Sequence, residues 1–180
     1  MIVEVPLEST QGKVEGKTVN ITGPRGALER RFIHPLINMK LQGDKIVLNT
    51  KKDRRKDKQI INTIASHIRN MIKGVKYGFK FELQMVQSHF PIQMKLEKNI
   101  FYVDNFLGEK VPRRVIIPNE VKVEVNQKEK WVTVESNNLE LAGNTASKIE
   151  QITRVRKKDR RIFQDGIYLV SRSLAEVKSK

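Results

Sequence analysis

The chain of 180 residues contains no cysteine. This absence excludes a disulfide framework and any metal site built on thiolate ligands. Long apolar runs are also missing, since none approaches the roughly 20 residues that a helix needs to cross a bilayer. Residues 1–6, which include Glu4, are too short and too polar for a signal peptide. We therefore expect a soluble intracellular protein, with a modest core supplied by the 38% of hydrophobic residues.

Groups suited to catalysis are scarce as well. His34, His67 and His89 lie far apart, without metal-ligand spacing or a carboxylate nearby in the sequence, so we expect structural roles for them. Residues 12–18 (GKVEGKT) resemble a phosphate-binding loop, but three residues separate the glycines where that loop needs four. Residues 23–26 (GPRG) indicate a turn rather than a dinucleotide fingerprint. Without a general base or a metal cluster, we expect no enzyme activity, no cofactor and no metal.

What the chain has in excess is positive charge, with 35 Lys and Arg against 20 Asp and Glu, a net charge of +15. Residues 1–90 hold 17 basic and 8 acidic side chains, a net of +9. Residues 91–150 hold 9 of each, and residues 151–180 hold 9 basic and 3 acidic, a net of +6. Charge concentrated in this way is typical of a binding face for a polyanion.

The densest basic segment is residues 154–161, in which six of eight side chains are cations. They are Arg154, Arg156, Lys157, Lys158, Arg160 and Arg161. The segment lies between a helical pattern and a strand pattern that bears an aromatic residue, so we expect these charges on a folded element. If the helix continued, four of them would share one face by their spacing, namely Arg154, Lys157, Lys158 and Arg161. A fixed array of cations suits RNA phosphates, and the alternative is a solvated charged face.

Two other segments are candidates for RNA contact. Residues 51–58 also carry six cations in eight, in a predicted loop that enters a helix N-terminus, where anions are attracted. Acids are interspersed there, so local ion pairing is the alternative. Residues 105–114 indicate a glycine-containing hairpin with Lys110, Arg113 and Arg114 at or just past its tip. Either RNA or water surrounds those cations, and the sequence leaves both open.

The first half of the chain predicts strands, then a helix, then a strand. Its first strands are expected over residues 18–22, 27–32, 38–41 and 45–49. The helix is predicted over residues 57–73, with Asp57 as N-cap and Gly74 as the stop. Its apolar stripe is Ile60, Ile61, Ile64, Ala65, Ile68, Met71 and Ile72. Residues 79–86 alternate as a strand.

The second half repeats this order. Strands are predicted over residues 93–97, 100–105, 114–117, 121–125, 131–135 and 139–141, with a closing strand over residues 167–170. A helix is expected from about residue 144 to 157, with Ala146, Ile149 and Ile152 on one face. We infer an α+β fold of two tandem similar domains, each a small, mostly antiparallel sheet packed with one main helix. The predicted bounds are residues 1–87, residues 88–174 for an RNA-binding domain, and a short tail over residues 175–180; the alternative is chance similarity of two α+β stretches.

Five segments, in order, carry a resemblance to a known family. They are residues 23–32 (GPRGALERRF), 66–74 (SHIRNMIKG), 89–92 (HFPI), 105–110 (NFLGEK) and 158–168 (KDRRIFQDGIY). Together they resemble the sixth universal family of large-subunit ribosomal proteins, the family of eukaryotic large-subunit protein nine. The form is similar to the eukaryotic and archaeal branch. The chain departs from eukaryotic relatives at residues 51–58, where they carry an aromatic-rich stretch.

The resemblance implies two similar α+β domains and a structural, non-catalytic role in the large ribosomal subunit. It implies that the second domain binds large-subunit ribosomal RNA near the sarcin–ricin loop and the translation-factor site, with neighbouring ribosomal proteins and translation GTPases close by. No membrane or small-molecule substrate is implied. By match of motif, the six cations of residues 154–161 and the pair Lys110 and Arg113 fall in RNA-facing segments. The expected location is the cytoplasmic ribosome, with a nucleolar stage of assembly if the organism is eukaryotic.

A free basic RNA-binding protein or a ribosome assembly factor is the alternative function. We expect recognition of duplex shape and backbone rather than of single-stranded sequence, because no strand carries the glycine–aromatic pattern of an RNA-recognition motif. For Phe101, Tyr102 and Phe106 we expect core packing rather than stacking on bases.

Overall fold

The computed structural model describes residues 2–7, 10–35, 37–50 and 54–175. The chain forms two compact units, which divide between Gly78 and Phe79. Each unit has its own hydrophobic core, two antiparallel sheets and one main helix. The prediction of two tandem similar α+β domains is thereby confirmed.

The first unit contains six strands followed by a helix. In chain order they are β1 (Ile2–Pro6), β2 (Gln11–Glu15), β3 (Thr18–Gly23), β4 (Gly26–Arg31), β5 (Ile37–Gln42), β6 (Lys45–Thr50) and α1 (Arg55–Lys76). The strands form two three-stranded sheets, in the orders β1-β6-β5 and β2-β3-β4. The pattern did not predict β1 or β2. Residues 12–18 thus lie in the β2–β3 hairpin and precede a strand rather than a helix, so no helix N-terminus can face a phosphate there.

Helix α1 carries the predicted apolar stripe. Ile61, Ile64, Ile68 and Ile72 recur at helical spacing and are buried in the core of the first unit. The bounds differ from the prediction at both ends. Asp57 lies inside the first turn, after an N-cap at Arg54, and Gly74 is buried within the helix. The chain turns only at Gly78, whose φ of 74° favours glycine.

The second unit contains seven strands, a 3₁₀ turn and a helix. In chain order they are β7 (Phe79–Val86), β8 (Gln93–Glu97), β9 (Ile100–Asp104), the turn Phe106–Gly108, β10 (Arg113–Ile116), β11 (Lys122–Asn126), β12 (Trp131–Ser136), α2 (Leu139–Ile152) and β13 (Gly166–Leu174). The sheets have the orders β11-β12-β7-β13 and β10-β9-β8. Strand β7 is hydrogen-bonded to β12 on one side and β13 on the other, so it belongs to this unit. The division therefore falls nine residues before the expected one at Gln87.

Helix α2 begins and ends earlier than predicted. It starts at Leu139 because the Asn138 side chain accepts hydrogen bonds from the backbone N–H groups of Glu140 (3.0 Å) and Leu141 (3.4 Å). The strand predicted over residues 139–141 is therefore wrong. The helix ends at Ile152, before the basic segment, and its buried face includes Ala146 and Ile149, as expected.

Candidate nucleic-acid interface

The six cations of residues 154–161 lie on an irregular loop between α2 and β13. We call residues 154–164 the basic loop. The expectation that the helix continues through it is wrong, so these cations do not share a helical face. The backbone of Lys157 has a φ of 57°, which is incompatible with a continuing right-handed helix. The cations are instead exposed side chains of a loop whose two ends are tied to the core.

Thr153 ties the start of the loop to β13. It is 2% exposed, and its hydroxyl donates to the Glu150 carbonyl (3.0 Å) and accepts from the backbone N–H of Ile167 (2.9 Å). Two residues further on, Val155 is buried in the core of the unit. Burial of alternate side chains leaves Arg154 and Arg156 on the exposed side.

Arg113 holds the same end of the loop from the neighbouring sheet. Its Nη1 donates to the carbonyls of Ile152 (2.5 Å) and Arg154 (3.1 Å), and its Nε and Nη2 bind the two carboxylate oxygens of Glu109 (2.7 and 2.5 Å). The guanidinium also lies 4.3 Å from the centroid of the Phe106 ring. These contacts use four of its five N–H donors, and the side chain is 17% exposed. Arg113, predicted as an RNA contact, therefore uses most of its donors to hold the loop.

The pKa of the Glu109 carboxyl shows that the hairpin lies close to the basic loop. The hydrogen bonds from Arg113 lower the pKa of the Glu109 carboxyl, and the nearby charges of Arg156 and Lys158 lower it further. The hairpin of residues 105–114 therefore lies within electrostatic reach of the basic loop, although the two are separated by about 40 residues in sequence.

A tight turn shapes the middle of the loop. The Asp159 carboxylate accepts from the backbone N–H of Arg161 (2.9 Å), and its carbonyl accepts from that of Phe163 (2.9 Å). The Lys158 ammonium lies 4.6 Å from the centroid of the Phe163 ring, which packs against the core. Asp159, the one acid among these cations, therefore has a structural role in the turn.

Asp165 closes the far end of the loop. It is 0% exposed and accepts from the backbone N–H groups of Ser88 (2.6 Å) and His89 (3.0 Å), while its second oxygen lies 2.6 Å from His89 Nδ1. Burial by itself raises the pKa of the Asp165 carboxyl, but the hydrogen bonds from His89 and Ser88 outweigh it and bring the pKa below its ordinary value of 3.8. The His89 ring also packs on Phe163, with 4.7 Å between centroids.

Most of the predicted contact residues have exposed side chains. Within the described residues, no side-chain hydrogen bond or ion pair is formed by Arg154, Arg156, Lys157, Arg160, Arg161, Lys110 or Arg114. Because the loop is anchored at both ends, its backbone has already lost much of the conformational entropy that binding would otherwise cost. The arrangement is suited to an extended anion such as a nucleic-acid backbone.

The structure brings part of the hairpin to the loop. Arg113 and Arg114 line a cavity of about 470 Å³ together with Arg156 and Lys157. Lys110 is exposed and lies outside this cavity. The buried rings of Phe101 and Phe106 confirm core packing for both.

The other basic cluster is only partly described, because residues 51–53 lie outside the described residues. Arg54 is the N-cap of α1, and residues 55–58 form its first turn rather than a loop. RNA contact by this cluster stays a prediction.

The remaining candidate groups have structural contacts. His67 is half-buried, with its Nδ1 3.3 Å from Arg30 Nη1.

Among the described residues no group of His, Asp and Glu is placed to hold a metal ion. No helix in the described part of the chain is long and apolar enough to cross a membrane.

Sequence reasoning missed the residues that hold the loop. Thr153, Glu109 and Asp165 have partners that are distant in sequence, up to 77 residues away for Asp165. Only the spacing of Glu109 and Arg113, four residues apart, offered a signal for such a pair.

A repeated α+β unit with exposed cations on an anchored loop fits the class of non-catalytic proteins that bind an extended polyanion. Comparison with known proteins narrows this class: the chain belongs to the ribosomal protein L6 family, whose model matches residues 9–78 and 90–166, one match for each unit. Members of this family are structural proteins and not enzymes.

Relatives of this chain are found among archaea. Large ribosomal subunit protein uL6 of Nanoarchaeum equitans is 43% identical over 92% of this chain and 90% of the relative. The protein of the same name from Methanothrix thermoacetophila is 41% identical, with 89% and 90% covered, and that from Haloarcula marismortui is 37% identical, with 93% and 92% covered. These matches confirm the family resemblance and its archaeal form.

Proposed function

We propose that this chain is a structural constituent of the large ribosomal subunit that binds large-subunit ribosomal RNA through the basic loop. Membership of the ribosomal protein L6 family supports the first part. The observation that supports RNA binding is the set of exposed cations, unpaired within the described part of the chain, on a loop tied down at both ends. We place the RNA near the sarcin–ricin loop, beside the site where translation GTPases dock, with other ribosomal proteins as neighbours.

Eight of the nine predicted residues are proposed to meet RNA directly. They are Arg154, Arg156, Lys157, Lys158, Arg160, Arg161, Lys110 and Arg114. Arg113 positions the loop, because its guanidinium is occupied by Glu109 and two carbonyls. Arginine forks grip phosphate oxygens in pairs, while lysines add point charge.

The mechanism is rigid scaffolding. Cations on an ordered loop neutralise phosphates of a compact RNA and release counterions. If roughly six to eight contacts form, affinity for an RNA fragment falls by about 10³–10⁵ between 50 and 200 mM salt. The location that follows is the cytoplasmic ribosome, with a nucleolar stage of assembly if the organism is eukaryotic.

The test is neutralisation of four arginines of the loop to glutamine, at positions Arg154, Arg156, Arg160 and Arg161. We expect at least a hundredfold loss of affinity for an RNA fragment that carries the sarcin–ricin loop, and a shallower salt dependence, by about one unit of slope for each lost phosphate contact. Fluorescence anisotropy across a salt series measures both, and circular dichroism checks the fold.

A matched control removes the same charge elsewhere in the second unit. Glutamine at the exposed positions Lys98, Lys122, Lys128 and Lys130 is expected to weaken binding far less. Equal losses in the two variants would show that net charge and not this loop binds RNA. Equal affinity of the unaltered protein for an unrelated hairpin would overturn the proposed RNA site.

A further inference from the structure

A groove beside the basic loop combines charge with an exposed aromatic ring. It has a volume of about 480 Å³ and lies between the C-terminal turns of α2, the basic loop and the start of β13. This volume is in the range of small-ligand sites, roughly 300–1,000 Å³. The lining residues that matter for binding are Glu150, Arg154, Arg160 and Tyr168.

Tyr168 provides a ring for stacking. It is 41% exposed, and its hydroxyl donates to the Gln164 carbonyl (3.0 Å), which fixes the ring. The ring lies against Gly166, where a Cβ would come within 3.1 Å of it, so a larger residue there would displace the ring by a few tenths of an ångström. Phe163 also lines the groove, but its ring already contacts His89 and Lys158. Tyr168 is therefore the ring available to a base.

Glu150 provides an acceptor among cations. Within the described part of the chain, its carboxylate forms no hydrogen bond or ion pair, although Arg154 follows it by four residues. A carboxylate accepts two parallel N–H donors, and among the common bases guanine presents such a pair, N1–H and N2–H, on its Watson–Crick edge. Arg154 and Arg160, for which the described residues offer no partner, line the same groove and suit the phosphates of such a nucleotide.

We propose that this groove receives one unpaired guanosine of the bound RNA. The base stacks on Tyr168, its Watson–Crick edge donates to the Glu150 carboxylate, and its phosphates meet Arg154 and Arg160. This inference rests on the proposed RNA binding and adds base recognition to it. The proposed guanosine site differs from the expectation, drawn from the sequence, that the protein recognises only the shape and backbone of duplex RNA.

The test uses five hairpin RNAs with one common stem, which carry a bulged G, A, C or U or no bulge. At fixed salt, we expect the unaltered protein to bind the G-bulged hairpin about tenfold more tightly than the others. Glu150→Gln should reduce this preference to within about twofold while its affinity for the unbulged hairpin is kept or raised, because an acid has left a basic site. Tyr168→Leu should bring the G-bulged hairpin to the affinity of the unbulged one.

The control is Glu120→Gln, which makes the same charge change at an exposed position outside the groove. It should keep the preference for G. Equal binding of all five hairpins by the unaltered protein overturns the guanosine site but leaves RNA binding intact. Preference retained in Glu150→Gln also overturns it. Failure to bind any of the five hairpins while the sarcin–ricin fragment is bound overturns the guanosine site alone, and failure to bind that fragment as well at low salt overturns both proposals.

Discussion

Arg113 and Asp165 carry charge near the basic loop, but neither offers that charge to a partner. Arg113 is occupied by a carboxylate and two carbonyls, and Asp165 is buried under three hydrogen bonds. At the scale of residues, the molecule thus separates side chains that hold the loop from side chains that face solvent. A charge count of the segment cannot make this distinction.

Asp165→Asn tests the anchor at the far end of the loop. Removing the charge should destabilise the second unit by about 1–3 kcal/mol at neutral pH, because hydrogen bonds to an ionised carboxylate are replaced by weaker bonds to a neutral amide. The pKa of Asp165 is lower in the folded state, so its contribution is present above the ordinary value of 3.8 and is lost as pH falls through the folded value. Urea unfolding followed by fluorescence of Trp131, the single tryptophan, measures the difference.

The stability gap between the two proteins should therefore shrink at pH values below 3.8. A gap that stays constant across this range would show that the carboxylate charge contributes nothing. Ser136→Ala, which removes a hydrogen bond to the backbone carbonyl of Glu120 in the same unit, provides a comparison whose partner does not titrate.

At the scale of elements, sequence patterns predicted the interiors of helices and strands better than their ends. The four-residue recurrence of isoleucine in α1 and the alternation in β7 depend on burial alone, and both were predictable. The start of α2 depends on the Asn138 cap, and its end on Thr153, whose partner Ile167 is fourteen residues further along the chain. Such tertiary contacts are not visible in local periodicity.

The sequence predicted only part of the candidate site, because tertiary contacts also determine the shape of the loop. The density of charge identified residues 154–161, but the shape of the loop follows from the burial of Val155 and the bonds of Arg113. The groove with Tyr168 and Glu150 depends on the folded position of both residues, and no sequence spacing indicates it.

Substituting a buried isoleucine of each helix by aspartate tests the two cores separately. Ile64→Asp should unfold the first unit and Ile149→Asp the second, since each buries an unpaired charge in its own core. Trp131 lies in the second unit, so its fluorescence transition should persist in Ile64→Asp and vanish in Ile149→Asp. Circular dichroism should report a partial loss in both.

Asn62→Asp and Lys148→Asp place the same residue at exposed positions of the two helices. Both should melt like the unaltered protein. A normal melting curve for either buried variant would contradict the assigned helix face.

At the scale of the whole molecule, the charge is unevenly placed. Residues 91–150 are neutral overall, whereas residues 151–180 carry +6, most of it on the basic loop. A folded unit whose excess positive charge is concentrated on one loop is suited to a fixed place on a large anion rather than to diffuse binding. Membership of the ribosomal protein L6 family agrees with that reading.

Co-sedimentation tests the central claim most directly. Lysate is separated on a sucrose gradient, and the chain is followed before and after a high-salt wash. We expect it in large-subunit and polysome fractions at about one copy per subunit, resistant to the wash, because many phosphate contacts act together in a fixed site. Release at moderate salt, or a peak only in light or precursor fractions, would contradict the account and favour a free RNA-binding protein or an assembly factor.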